Sequence, residues 1–392
     1  MTTPKGFLFS AVKAKFKNWD KEDLGLIYSE TPCSAAAVFT TNRAKAAPVL
    51  LSMKHIKGKT HRAIVANSGC ANAGTGKPGY QNALNTALET AGRLKCKREE
   101  ILIASTGVIG MNFSWEKLLG FIPELTTSLK PEPEGFTRAI MTTDTKPKSA
   151  SASAIIGGKK TTVWGCAKGA GMIHPNMATM LAFIVTDASA SKAILQSSLV
   201  EAVDGSFNQM TIDGDTSTND TVFLLANGAA DGTPIKSGTT DYKKFATVLA
   251  EVCRSLSEQV AMDGEGVTRL ADIFVEKAAT KKEAVAVARA VAGSLLVKTA
   301  LHGGDPNWGR IICAAGYSGV KVDQDRMELY FGEYCAYKNG VPTDVPEKTL
   351  AEEFTKKRVK MRLVLNMGKA KADYLFTDIS HEYVTINSHY RT

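Results

Sequence analysis

Apolar positions along this chain switch between two spacings, and the order of the switches predicts alternating strands and helices. The run AIVAN (63–67) is short and apolar and predicts a buried strand, whereas residues 80–95 carry apolar positions at helical spacing. Residues 101–105 form a second short apolar run that stops at Thr106-Gly107, a natural strand end. Further on, TMLAFIVTD (179–187) and TVFLLANG (221–228) read as buried strands, with a helix over 191–203 between them. A long amphipathic helix over 242–262, a strand over 269–276 and a helix over 281–302 follow. The tail, with KMRLVLNMG and ADYLFTDIS, is rich in strand-forming residues. The expected fold class is α/β (α+β), without repeats or a low-complexity linker. Residues 130–161, which hold Pro131, Pro133, Gly135 and Pro147 among Ser and Thr, read as the main loop, joining lobes or covering a site.

Composition narrows the setting. A chain of 392 residues, 44% of them hydrophobic, can bury one or two cores without crosslinks. Its seven cysteines are odd in number and widely spaced, with no CxxC pair, which fits a reducing cytoplasm. No signal-peptide core opens the chain, and no run approaches the ~20 apolar residues of a membrane span, so a soluble cytoplasmic protein without a membrane partner is expected. The formal charge of +9 is scattered, and clusters such as Lys95-Cys96-Lys97-Arg98 are short. That pattern reads as solvated faces rather than a nucleic-acid surface, while a mild positive field suits a small acidic substrate such as a dicarboxylic amino acid.

Several motifs fail on inspection. Residues 69–78 (GCANAGTGKP) resemble a phosphate loop, but the register of Gly-Lys is wrong and Pro78 stands where a hydroxyl is needed. The stretch reads as a glycine-rich turn from which Asn67, Ser68 and Asn72 could still face a pocket. Asp213-Gly-Asp215-Thr-Ser217 matches the first three positions of a calcium loop, yet Thr218 and Leu224 replace the required Gly and Glu. Six histidines without HExxH spacing and the lack of a GxSxG elbow remove zinc and serine-triad hydrolysis, and no metal is expected. His174, before Pro175, reads as structural, and Trp308 reads as packing in a tight loop. Glu265, between Gly264 and Gly266, reads equally as a ligand-facing carboxylate or a solvated loop residue. One junction stands out: Ala178-Thr179, ahead of an apolar strand. If it breaks, Thr179 carries a hydroxyl nucleophile and a free amine base on one residue; taken alone, an Ala-Thr pair is common.

From residue 5 onward the chain resembles the ornithine acetyltransferase family, the bifunctional glutamate N-acetyltransferases of arginine biosynthesis. The resemblance rests on ANSGCANAGTG (66–76), STGVIG (105–110), TTDT (142–145), KGAGMIHPNMATML (168–181) and DGDTSTND (213–220). It extends through DGEG (263–266), GGDPNWGRI (303–311) and YVTINSHYRT (383–392). It implies self-cleavage between Ala178 and Thr179 into an α chain (1–178) and a β chain (179–392) that stay together as one folded unit, usually paired as an α2β2 heterotetramer. The implied reaction moves acetyl from N2-acetyl-L-ornithine to L-glutamate through an acetyl-Thr179 ester, with Thr106 and Gly107 as the oxyanion hole. Substrate contacts carry over to Thr145, Lys168, Thr179, Glu265, Asn387 and Thr392. In this set Lys168 suits an α-carboxylate and Glu265 an ammonium. No metal or resident cofactor is implied, and acetyl-CoA stays open as a second donor. The alternatives are a self-processed amidohydrolase or aminopeptidase, in which water resolves the acyl-enzyme, and a related acetyltransferase of secondary metabolism.

Overall fold

The computed structural model describes residues 2–17, 19–111, 115–174 and 180–389. Its strands, in chain order, are β1 (Phe7–Val12), β2 (Leu24–Phe39), β3 (His61–Asn67), β4 (Ile101–Ser105), β5 (Lys148–Ile156), β6 (Lys159–Lys168), β7 (Leu181–Thr186) and β8 (Met210–Thr211). They continue with β9 (Thr221–Ala226), β10 (Leu270–Ala278), β11 (Glu328–Phe331), β12 (Tyr334–Lys338), β13 (Val341–Pro342), β14 (Arg358–Val364) and β15 (Ala370–Thr377). Two mixed sheets result. The first runs β4-β3-β2-β9-β7-β6-β5, with β1 on β2; the second runs β13-β12-β11-β14-β10-β15-β8.

The first sheet is organised by one long strand. The first half of β2 pairs with β1 and β3, its register breaks between Tyr28 and Cys33, and its second half pairs with β9. At the centre, β7 and β9 lie parallel, Leu181 opposite Thr221, and every residue of both strands is buried. Uninterrupted apolar sequence on both strands is what a sheet covered on both faces demands. One face packs against the helices Lys192–Asp204 and Thr240–Met262 through Leu195, Leu199, Phe245, Leu249 and Leu256. The other face gathers aromatics, with Phe9 edge-on to Trp164 and Phe136 edge-on to Phe183, each at 5.1 Å between centroids. The helix Lys281–Gly293 covers the second sheet. The Thr240–Met262 helix touches β5 and β6 on one side and β8 and β15 on the other, so its end at Asp263 falls where the two sheets meet.

Most predicted elements have the expected type, including the strands at AIVAN and 101–105. Two expectations are corrected. Residues 130–161 are largely ordered structure: the helix Glu134–Ala139, all of β5 and the start of β6, joined by the tight turn at Gly157-Gly158. The serines and alanines of KSASASAII alternate at strand spacing, but their small size hid the amphipathic signal. The single helix expected over 281–302 is two, Lys281–Gly293 and Leu295–Gly303, bent by 58°. Ser294 causes the break: its hydroxyl accepts the Val297 N–H at 3.3 Å and caps the second helix.

Candidate active site

A cavity of about 280 Å³ opens at the seam between the sheets. One wall is the turn after β4, where Thr106 and Gly107 line the space. That turn is pinned from two sides. The Thr106 N–H donates to Asn67 O at 2.9 Å, and the Asn219 side-chain amide donates to Ala71 O at 2.7 Å and Ser105 O at 2.8 Å. Gly107 has φ +130°, and a Cβ there would lie 2.3 Å from the Gly69 carbonyl carbon, so no other residue fits.

Opposite Thr106 stands Lys168, the last residue of β6 and buried. Its Nζ donates to Thr106 Oγ1 at 3.3 Å, which leaves the Thr106 O–H free to donate toward the cavity. Burial lowers the Lys168 pKa, and the nearby Asp144 carboxylate opposes that shift. Asp144 accepts from Lys148 Nζ at 2.6 Å and from Gly169 N–H at 2.7 Å. Burial would raise its pKa, but the charges of Lys168 and Lys148 outweigh it and hold the group at about 2. Lys148 also donates to Asp263 Oδ2 at 2.5 Å, so one buried ammonium joins β5 to the end of the Thr240–Met262 helix.

The third wall comes from the DGEG turn and the terminal helix His381–His389. Glu265 is buried, its N–H donates to Ala170 O at 2.8 Å, and its Oε2 accepts from Asn387 Nδ2 at 2.9 Å. A Cβ on Gly171 would come within 2.3 Å of Glu265 Oε2, so the glycine makes room for the carboxylate. Ser380 Oγ donates to Gly266 O at 2.6 Å and accepts from Tyr383 N–H at 3.2 Å, which fastens the start of the helix to the turn. Tyr383 and Asp213 complete this end. Asp213 accepts from the Met172 N–H, from Ile173 N–H at 2.8 Å and from Asp215 N–H at 3.2 Å; burial nevertheless pushes it up to about 6.

Of the residues singled out in the sequence, Thr106, Gly107, Lys168, Glu265 and Asn387 share this cavity. Thr145 stands apart from the lining: its hydroxyl and its N–H both bind the Asp263 carboxylate, and Thr142 and Thr143 line the space instead. Ala178, Thr179 and Thr392 lie outside the described residues. Met180, which follows Thr179, is held by its backbone. Its N–H donates to Asp220 Oδ1 at 3.0 Å and its carbonyl accepts from Thr221 N–H at 3.1 Å. Asp220 is fully buried, its pKa raised well above the usual carboxylate range by burial, and its Oδ2 has no hydrogen-bond partner among the described residues. His174 packs its ring nitrogen on Thr211 Oγ1 at 3.2 Å, and Trp308 stacks on Tyr337 away from the cavity. Asn67 and Asn72 serve the glycine-rich turn, donating to Cys70 O and Gly79 O. Sequence reasoning assigned no role to Asp144, Lys148, Asp213, Asp263 or Tyr383. Four of these lie inside quoted motifs, but Lys148 fell in the stretch read as loop.

The arrangement offers a hydroxyl donor and a cation at one end, carboxylates at the other, and the strand that begins at Leu181 beside them. Comparison with known proteins agrees in sequence across the whole chain. The sequence profile of the ArgJ family matches residues 8–392. The arginine biosynthesis bifunctional protein ArgJ of Dehalococcoides mccartyi is 48% identical over 395 residues, covering 100% of this chain and 97% of the relative. The protein of the same name from Thermotoga neapolitana is 46% identical over 399 residues, covering 100% of each. Among solved structures, the arginine biosynthesis bifunctional protein argJ of Bacillus halodurans superposes with a TM-score of 0.52 at 38% identity, covering 53% of this chain and 98% of its own.

Proposed function

The chain belongs to the ArgJ family, and from that membership and the cavity's chemistry we propose a residue-level route for its reaction. It is an acetyltransferase of arginine biosynthesis, a glutamate N-acetyltransferase. The observation that carries the route is the convergence of Thr106, Lys168, Glu265 and Asn387 on one cavity from four separate parts of the chain.

In the route, the Thr179 hydroxyl attacks the Ala178 carbonyl and exchanges the amide for an ester, and water then hydrolyses that ester, leaving chain 1–178 with a carboxylate end and chain 179–392 with Thr179 bearing a free hydroxyl and a free amine. That amine, with an ordinary pKa of about 7.7 to 8.0, takes the hydroxyl proton as Oγ attacks the acetyl carbonyl of N2-acetylornithine. Charge builds on the carbonyl oxygen, which the Thr106 O–H and the backbone at Gly107 stabilise. The C–N bond then breaks, the ornithine nitrogen takes the proton, and acetyl stays on Thr179 as an ester. The amine of glutamate attacks that ester, the nucleophile's proton returns to Oγ, and N-acetylglutamate leaves. Lys168 holds the α-carboxylate in each half, and Glu265, positioned by Asn387, faces the ornithine ammonium. Thr145, through Asp263 and Lys148, supports this wall from behind, and Thr392 is proposed as a further substrate contact. The cycle calls on no metal or resident cofactor, and acetyl-CoA, if it serves as donor, loads the same threonine. We assign the protein to the cytoplasm as an α2β2 assembly; no single described helix is long and apolar enough to cross a membrane.

Initial rates over a grid of N2-acetylornithine and glutamate concentrations test the route. Parallel double-reciprocal lines are expected of an ester intermediate. Intersecting lines, or acetate released at the full rate without glutamate, would overturn it.

A further inference from the structure

Donor and acceptor share an α-amino-acid head and differ at the far end, where ornithine carries an ammonium and glutamate a carboxylate. A cavity that exchanges them has to admit both charges. Its described walls are lopsided: Lys168 is their one cation, against Asp213, Asp215 and Glu265. With Lys168 taken by the α-carboxylate, the side chain of glutamate meets like charge, which costs binding unless a donor intervenes. The Asn387 amide is committed, donating to Glu265 Oε2 at 2.9 Å and to Tyr383 O at 3.0 Å. Thr106, Thr142, Thr143, Ser217 and Thr218 also bring hydroxyls to the cavity, but the one beside Asp213 at the carboxylate end is that of Tyr383, and a phenol both donates and accepts.

We propose that Tyr383, backed by Asp213, is the specificity-determining residue of the acceptor half-reaction: its O–H turns from Asp213 to donate to the side-chain carboxylate of a dicarboxylic amino acid. With ornithine bound, the same oxygen accepts from the ammonium while its proton points at Asp213. The turn costs little, because Asp213 keeps three backbone donors, from Met172, Ile173 and Asp215, when the phenol leaves it. The backbone that carries the phenol is held in place. Gly266, at φ +65°, lies so close that a Cβ would sit 2.5 Å from Tyr383 N, and Ser380 ties the two segments together. Burial, then the charge of Asp213 and a hydrogen bond to it, raise the Tyr383 pKa, with Asp215 and Glu265 adding to it, so the hydroxyl stays a donor at neutral pH. The groups facing Asp213 are Tyr383 from the terminal helix, Asp215 from its own loop and Lys298 from the helix Leu295–Gly303.

This inference rests on the transfer reaction proposed above, so wild-type transfer from N2-acetylornithine to glutamate is measured first; its absence would sink that reading and not this assignment. Tyr383→Phe then removes one oxygen. The expected result is a KM for glutamate raised about tenfold or more, with the KM for N2-acetylornithine shifted less than about threefold, since the ornithine ammonium keeps the carboxylates of Asp213 and Glu265 when the phenol oxygen is lost, whereas the glutamate carboxylate loses its donor. Equal shifts in both constants, or an unchanged glutamate KM, would overturn the proposal. Should the Phe variant not fold, the wild-type enzyme still decides. A kcat/KM preference for glutamate over its neutral isostere glutamine of about tenfold or more supports the assignment, and a preference below about twofold overturns it.

Discussion

Lys168 is buried, yet in the proposed route it meets an anion, and Asp144 reconciles the two. Without a counter-charge, burial would drive the amine toward its neutral form; the Asp144 carboxylate, itself held at about 2, opposes that. Asp144→Asn is therefore expected to raise the KM for both substrates about tenfold, read in steady-state kinetics, because in the proposed route both would use Lys168 through their α-carboxylates. It also alters acid stability. Asp144 is depressed in the fold, so its stabilisation is present above about pH 4 and is lost as pH falls toward 2, an effect of about 2 kcal/mol. Acid denaturation of the Asn variant should be flatter over that window, and an unaltered slope would contradict the assignment. Asp213 has the opposite sign. Raised to about 6, it makes the fold bind a proton that the unfolded chain releases near pH 4, so its contribution weakens as pH rises from 4 to 6. At the same scale, Thr106→Ala should fold and lose about 10²- to 10³-fold in kcat, the usual effect of removing one oxyanion donor; near-normal turnover would remove that role.

The elements that position these residues differ in how plainly the sequence announced them. β4 and its Thr106-Gly107 end were legible because four apolar residues and a serine stop at a turn pair, and Lys168, Glu265 and Asn387 were legible because each lies in a distinctive motif. The Asp144–Lys148–Asp263 network was not. Its members are joined across 115 positions, and no local spacing encodes a lysine that bridges a loop to a distant helix end. Small residues hid β5, and helical periodicity that runs through Ser294 hid a break made by a single hydroxyl. The terminal helix was unforeseen as an element, although Asn387 was expected to touch substrate, and the helix closes one side of the pocket. That closure depends on Gly266. Gly266→Ala places a Cβ 2.5 Å from Tyr383 N at a positive φ, so the helix should detach. Limited proteolysis should then cut the tail faster than in wild type, with a higher KM for both substrates; a tail as resistant as wild type would contradict this.

For the molecule as a whole, the proposed cut falls between strands of a single sheet. β6 pairs with β7 over six residue pairs and β2 with β9 over another six, so the two products would share a ladder on both sides of the cut. Both ladders run through the buried centre of the sheet. The cleaved chains are expected to co-elute as one unit in size-exclusion chromatography and to separate only in denaturant; dissociation under native conditions would refute this. The cavity needs both pieces, since Thr106 and Lys168 precede the cut while Glu265 and Asn387 follow it.

In the proposed cycle Thr179 is freed by self-cleavage and then carries the acetyl group. Intact mass of the purified protein, before and after incubation with N2-acetylornithine without an acceptor, tests it most directly. Two chains meeting between Ala178 and Thr179 are expected, with one acetyl mass added to the second chain and lost when glutamate is supplied. An uncut, unlabelled 392-residue chain from an active preparation would contradict it.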